Sequence, residues 1–261
     1  MLSSPIARPP ASRSFHLLDQ LVRRDFAARF TGSALGLGWA VLQPLTLVLL
    51  YWFVFTFLIP QAPGSSNNGY ILFLIAGLVP WIGFNEGIMR STTSIVDNAT
   101  IVRRLAFRSE LLVVVPNASA IIFELIGLGL FFIYLVARGL ASPQLWVLPF
   151  AILLQFMIQV GIGWFLAAVY VFFRDVIQVL GFILSIVFYL SPILYPVSHR
   201  FESLFMWNPL TPLLGLFRSA MIGSPLPQAV SIVFLLIVAT VIFFGGLAFF
   251  RRTQGTLADL I

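Results

Sequence analysis

Glu124 is the one acidic residue set deep inside a long apolar run, Leu111 to Ala137. A carboxyl at that depth is expensive in hydrocarbon and turns toward a bundle interior or a water-filled path. Two chemistries fit it: a proton relay or substrate contact, or a hydrogen-bonded carboxyl that ties two helices together. No second acid, His or Lys lies comparably deep to complete a relay, which favours the tie. Glu86 stands four residues before Arg90 near the end of another apolar run, a spacing that predicts an ion pair on one helix face.

Other chemistries are closed by residue types that are missing. The chain has no Cys, which excludes disulfides, thiol catalysis and Cys-based metal sites. His16 and His199 are its only histidines and are far apart, so no His-rich metal site is expected. All fifteen basic residues are Arg and none is Lys. A P-loop needs Lys in its phosphate cradle, so no ordinary ATP site fits this chain, nor does a lysine Schiff base. No paired carboxylates share a helical face within a run, which disfavours a membrane enzyme.

The elements that must position these residues are membrane elements. Of 261 residues, 60% are hydrophobic and only 9% charged, against roughly 25% charged in a soluble domain; mean hydropathy is +1.02. The fold class predicted is all-α integral membrane. Residues 1–14 are rich in Pro, Ser and Arg and are expected to form a disordered tail, with no apolar core of a secretory signal. Residues 15–30 place large apolar side chains at near-helical spacing, with Arg23, Arg24 and Arg29 among the polar positions. This predicts an amphipathic helix in the membrane interface. Residues 31–252 are expected to form a six-helix transmembrane domain and 253–261 a cytoplasmic tail. Six spans are expected, at about 37–59, 71–89, 111–137, 145–173, 176–195 and 229–250. Between the last two, the short apolar stretches Ser203–Trp207 and Pro212–Met221 predict re-entrant or interfacial helices.

Charge sets the orientation. With both termini cytoplasmic, twelve of the fifteen Arg fall inside, and only Arg138, Arg200 and Arg218 fall outside. The cytoplasmic segment after the second span is the most basic of the membrane domain, with Arg90, Arg103, Arg104 and Arg108. Ionisable residues and matched halves suited to a secondary transporter are lacking. What remains is a passive pore, or a permease energised by another polypeptide.

Five motifs in register resemble the membrane subunits of ABC-type polysaccharide exporters, which move lipid-linked O-antigen, capsule or teichoic acid chains. They are Arg24-Asp-Phe with Arg29-Phe-Thr-Gly-Ser-Ala-Leu-Gly36-Leu-Gly-Trp39-Ala-Val-Leu-Gln-Pro44; Asn98-Ala-Thr-Ile-Val-Arg-Arg-Leu-Ala-Phe107-Arg-Ser-Glu-Leu111; Phe173-Arg-Asp175; Leu190-Ser-Pro-Ile-Leu-Tyr-Pro196; and Asn208-Pro-Leu-Thr-Pro with Phe217-Arg218. The resemblance spans Phe15 to Arg252. It implies a homodimeric half-transporter in a bacterial cytoplasmic membrane, docked to two copies of a separate ABC ATPase that binds ATP and Mg. No cofactor in this chain and no nucleic-acid partner are implied; periplasmic export partners are. By position, Asp97, Asn98, Arg103, Arg104 and Phe107 would couple to the ATPase. Arg23, Arg24 and Arg29 would form the rim where an anionic lipid-linked glycan enters. Trp207, Asn208 and Arg218 would shape the exit. Most of the 27 Phe are expected simply to face lipid or pack. Tyr51, Trp52, Phe57, Phe188, Tyr189 and Tyr195, with Glu124, are the channel-lining candidates, since aromatic faces with a polar tip suit sugar rings. Two alternatives stand beside this: an ABC exporter permease for a small molecule such as a drug or haem, and an ATP-independent channel or structural membrane protein.

Overall fold

A computed structural model describes residues 11–28, 35–54, 57, 67–100, 109–197 and 205–260. Among these the chain is all-helical: eight α-helices, short 3-10 turns and no strand. The first, α1, runs Ala11–Ala28. It therefore starts four residues before Phe15, inside the segment expected to be a tail.

Four segments are long and apolar enough to cross a membrane: Gly69–Asp97, Glu110–Ala137, Leu145–Phe172 and Ala229–Gly255. They belong to α3 (Asn67–Asp97), α4 (Glu110–Ala137), α5 (Leu148–Phe172) and α8 (Ala229–Leu260). Two of the six expected spans are shorter as helices. α2 is Trp39–Phe53; Leu37 and Gly38 before it belong to a 3-10 turn, and after it only Val54 and Phe57 of that stretch are among the described residues. α6 is Val176–Leu190 and stops five residues before the expected limit. The cause is Pro192: Ser191 before it takes the extended conformation (φ −102°, ψ 147°) that a following proline enforces. Fifteen residues at ~1.5 Å each give about 22 Å, short of a ~30 Å core. The remaining short helix, α7, is Leu210–Ile222, closed by Gly223 in the left-handed conformation (φ 68°). At the other end of the chain α8 continues through Arg251 and Arg252 to Leu260, where a tail was expected from residue 253.

α3 is the axis of the bundle. It packs on α4, α5, α6 and α7, and 72% of its apolar window is buried, against 17% for α8. Ile75, Ile88, Leu128, Leu154, Leu213 and Phe217 fill the core around it. α8 turns most of its apolar surface outward, which suits lipid or another chain. It is held nonetheless by backbone contact with α5. A Cβ on Gly161 would lie 2.5 Å from the Ile242 carbonyl oxygen, and one on Gly246 would collide with the Gly161 backbone. Small residues allow this close crossing, the usual device where lipid removes the hydrophobic drive between helices.

Candidate functional site

α3 carries polar structure at three levels. The first, near its N-terminal end, is the turn after α6. Pro192 and Pro196 prevent the helix from continuing, which leaves carbonyls that hydrocarbon would not satisfy. Side chains take them over. Tyr195 Oη donates to the Tyr189 carbonyl (2.5 Å) and Asn208 Nδ2 to that of Leu190 (3.2 Å). Arg218 Nη2 donates to Pro192 (2.7 Å) and Ile193 (3.2 Å), and Tyr70 Oη to Leu194. Asn208 also forms an Asx turn leading into α7, its Oδ1 accepting from the Leu210 N–H at 2.9 Å.

Arg218 is 5% exposed. Its Nε donates to the Phe73 carbonyl (3.2 Å), and the guanidinium carbon sits 3.5 Å from the centroid of the Phe73 ring. Burial pushes its pKa down to about 9, so it remains a cation at neutral pH. Of the three residues expected at the exit, Asn208 and Arg218 thus clamp the same turn. Trp207, 77% exposed, projects outward with its edge toward Phe234.

The second level is mid-bundle. Glu124 is buried and accepts a hydrogen bond from Gln155 Nε2. One helical turn on, Gln159 Nε2 donates to the Gly83 carbonyl at 2.8 Å. Asn117 joins the layer from α4, bonding the Val113 carbonyl at 2.9 Å. Glycines on α3 make the room. A Cβ on Gly83 would collide with the Glu124 carboxyl, and one on Gly87 would lie 2.7 Å from Asn117 Oδ1. A cavity of about 30 Å³ opens beside Glu124, lined also by Gln43 and Gly127. Glu124 therefore ties α4 to α5 across α3, and no second carboxylate joins it among the described residues. The amides Gln155, Gln159 and Asn117 were not picked out from the sequence, although Gln155 and Gln159 four apart in an apolar run are a legible signal.

The other channel-lining candidates are not gathered on one surface of the protomer. Phe188 packs inward on Trp81 (5.5 Å between centroids), whereas Tyr189 and Phe57 are 64% and 62% exposed. Tyr195 bonds within its own turn. The side chains of Tyr51 and Trp52 lie outside the described residues.

The third level is the C-terminal end of α3. Arg90 Nη2 reaches both carboxylate oxygens of Asp25 (2.8 and 2.9 Å), joining α1 to α3. Its Nη1 stands 3.6 Å from Glu86, the pair predicted from spacing. A cavity of about 270 Å³ lies between α1, α3 and α4, with Arg24, Asp97 and Asn98 in its lining. Asn98 Nδ2 donates to the Ser94 carbonyl at 2.8 Å. Arg23 is on the surface, paired with Asp19. Arg29, Arg103, Arg104 and Phe107 lie outside the described residues. The Asp25–Arg90 pair spans 65 positions, too far for local spacing to reveal.

A helical bundle with long apolar helices, an internal polar layer and no catalytic constellation among the described residues has the make-up of a membrane permease subunit. Residues 16–222 match the ABC-2 type transporter family, and the chain belongs to it; it is an integral membrane protein. Among its relatives is the O-antigen export system permease protein RfbA of Myxococcus xanthus, 27% identical over 94% of this chain and 95% of the relative. A protein of the same description from Klebsiella pneumoniae is 26% identical over 95% of each. The polysialic acid transport protein KpsM of Escherichia coli is 24% identical over 91% of this chain and 93% of that protein.

Proposed function

We propose that this chain is the membrane subunit of an ATP-driven exporter that carries a lipid-linked polysaccharide, of O-antigen or capsule type, across a bacterial cytoplasmic membrane. The observation that carries this reading is similarity along nearly the whole chain to permeases described by O-antigen export and polysialic acid transport. A chain without Lys offers no P-loop of its own, so the energy comes from a separate ABC ATPase holding ATP and Mg. Two copies of this chain form the path and dock two ATPase copies.

In this reading each protomer crosses six times with both termini cytoplasmic, α2 and α6 counting as spans with their flanking residues. α1 lies in the interface as an amphipathic helix. The Asp25–Arg90 pair couples it to α3, whose end at Asp97 and Asn98 leads into the basic segment that contacts the ATPase. Arg23, Arg24 and Arg29 attract the anionic end of the substrate by charge. The turn clamped by Asn208 and Arg218 borders the exit.

Affinity purification of the tagged protein from native membranes tests the energy source. A P-loop ATPase at equal stoichiometry, together with a glycan that accumulates inside cells when the gene is deleted, is the expected result. An intact dimer with no ATPase in mild detergent would exclude the ATP-driven mechanism.

A further inference from the structure

Below the clamped turn opens a cavity of about 370 Å³, bordered by the turn, α7 and the start of α8. Its polar lining is Thr211, Arg218, Gln228 and Ser231, and no acidic side chain lines it among the described residues. Arg218 commits Nε and Nη2 to three carbonyls, while Nη1 makes no hydrogen bond among the described residues. The Thr211 hydroxyl is buried and has no partner either. Thr211 and Arg218 are seven positions apart on α7, two turns, and so share a face. Gly215 between them lets Pro227 approach: a Cβ there would lie 2.8 Å from the Pro227 ring.

A cation buried among carbonyls and a ring has hydrogen bonds but, among the described residues, no countercharge, an arrangement that favours an incoming anion. Nη1, with both of its N–H groups uncommitted among the described residues, can donate to a phosphate oxygen, and hydroxyl and amide donors complete such a site. The volume sits at the small end of the roughly 300–1,000 Å³ typical of ligand pockets, room for a head group and not for a polymer. We propose that this cavity binds the phosphate-bearing head group of an amphipathic lipid, with Arg218 supplying the charge and Thr211, Gln228 and Ser231 the remaining contacts. Two lipids present that chemistry: a polyprenyl diphosphate carrier and a membrane phospholipid. Assignment to the first rests on the exporter reading above; the anion site itself does not.

The test uses the full-length protein in maltoside detergent, stripped of lipid and followed by native mass spectrometry. The probes are farnesyl diphosphate, uncharged farnesol and dihexanoyl phosphatidylglycerol. Because Arg218 also holds the turn, Arg218→Gln is accompanied by Ser231→Glu and Thr211→Val, which leave its three carbonyl bonds in place. One phosphate-bearing lipid should bind per chain, farnesol should not, and Ser231→Glu should weaken binding by about tenfold or more. Thr211→Val should weaken it by a smaller factor. Preference for the diphosphate assigns the translocated carrier, and preference for phosphatidylglycerol assigns a membrane lipid. Farnesol binding as well as farnesyl diphosphate, or anion binding unchanged in Ser231→Glu and Arg218→Gln, would overturn the site. The exporter reading fails separately, through absence of the ATPase, and anion binding would survive that result.

Discussion

The guanidinium of Arg218 occupies the space that a side chain on Gly77 would need: a Cβ at Gly77 would lie 2.6 Å from Nη2. The two residues are 141 positions apart, yet each is intelligible only with the other. Gly77→Ala is expected to push Nη2 off the Pro192 and Ile193 carbonyls and to lower stability by about 1–3 kcal/mol. Thermal unfolding in detergent measures it. Arg218→Ala should cost more, and the double variant little more than Arg218→Ala alone. Additive losses would show that the two positions do not share this contact.

Glu124 makes a second test, separating shape from charge. Glu124→Gln keeps a carbonyl oxygen to accept from Gln155 and should leave both fold and transport nearly unchanged. Glu124→Leu strands the Gln155 amide in the bundle, a loss of about 1–3 kcal/mol. Export that collapses in a well-folded Glu124→Gln protein would instead assign the carboxyl a proton-carrying role.

Arg90 Nη2 bridges both carboxylate oxygens of Asp25, the two side chains being 32% and 25% exposed. Partial burial places their coupling at about 1 kcal/mol in a double-mutant cycle. Either substitution to Ala should free α1, read as faster proteolysis between α1 and α2. Unchanged cleavage would mean that packing of Val22 and its neighbours alone holds the helix.

The α5–α8 crossing predicts the largest structural effect. At Gly161 the obstruction is backbone of Ile242 and Phe243, not a movable side chain. Gly161→Leu should therefore part the helices and abolish the monodisperse protein on size-exclusion chromatography. Gly245→Ala, whose Cβ meets nothing within 4 Å, should be silent.

Arg103 and Arg104 carry the coupling proposal. Their joint substitution by Ala should reduce ATPase co-purification and stimulation severalfold while leaving membrane insertion intact. Unchanged assembly and ATPase activity would remove that role from the segment.

Composition and local spacing were enough to establish the class of this protein. Apolar runs longer than ~18 residues mark membrane helices, because helices satisfy their own backbone inside lipid. A chain with Arg as its sole basic side chain has no Lys for a P-loop. Pro192 also ends α6 by a rule that holds between neighbours. Glu86 with Arg90 was legible for the same reason, since four residues of helix bring them together.

What the polar residues do depends on how the helices pack. Arg218 reads as a charge in a short apolar segment until Phe73, Gly77 and the Pro192 carbonyl are set around it. Gln155 and Gln159 look like mild defects in a run until α3 brings Gly83 and Glu124 against them. Asp25 looks like surface charge until Arg90 arrives from 65 positions away. These partners come from different helices, and their meeting depends on which helix faces pack. Nearest-neighbour periodicity carries no information about that choice, because lipid-facing and core-facing Leu, Ile and Phe are chemically alike.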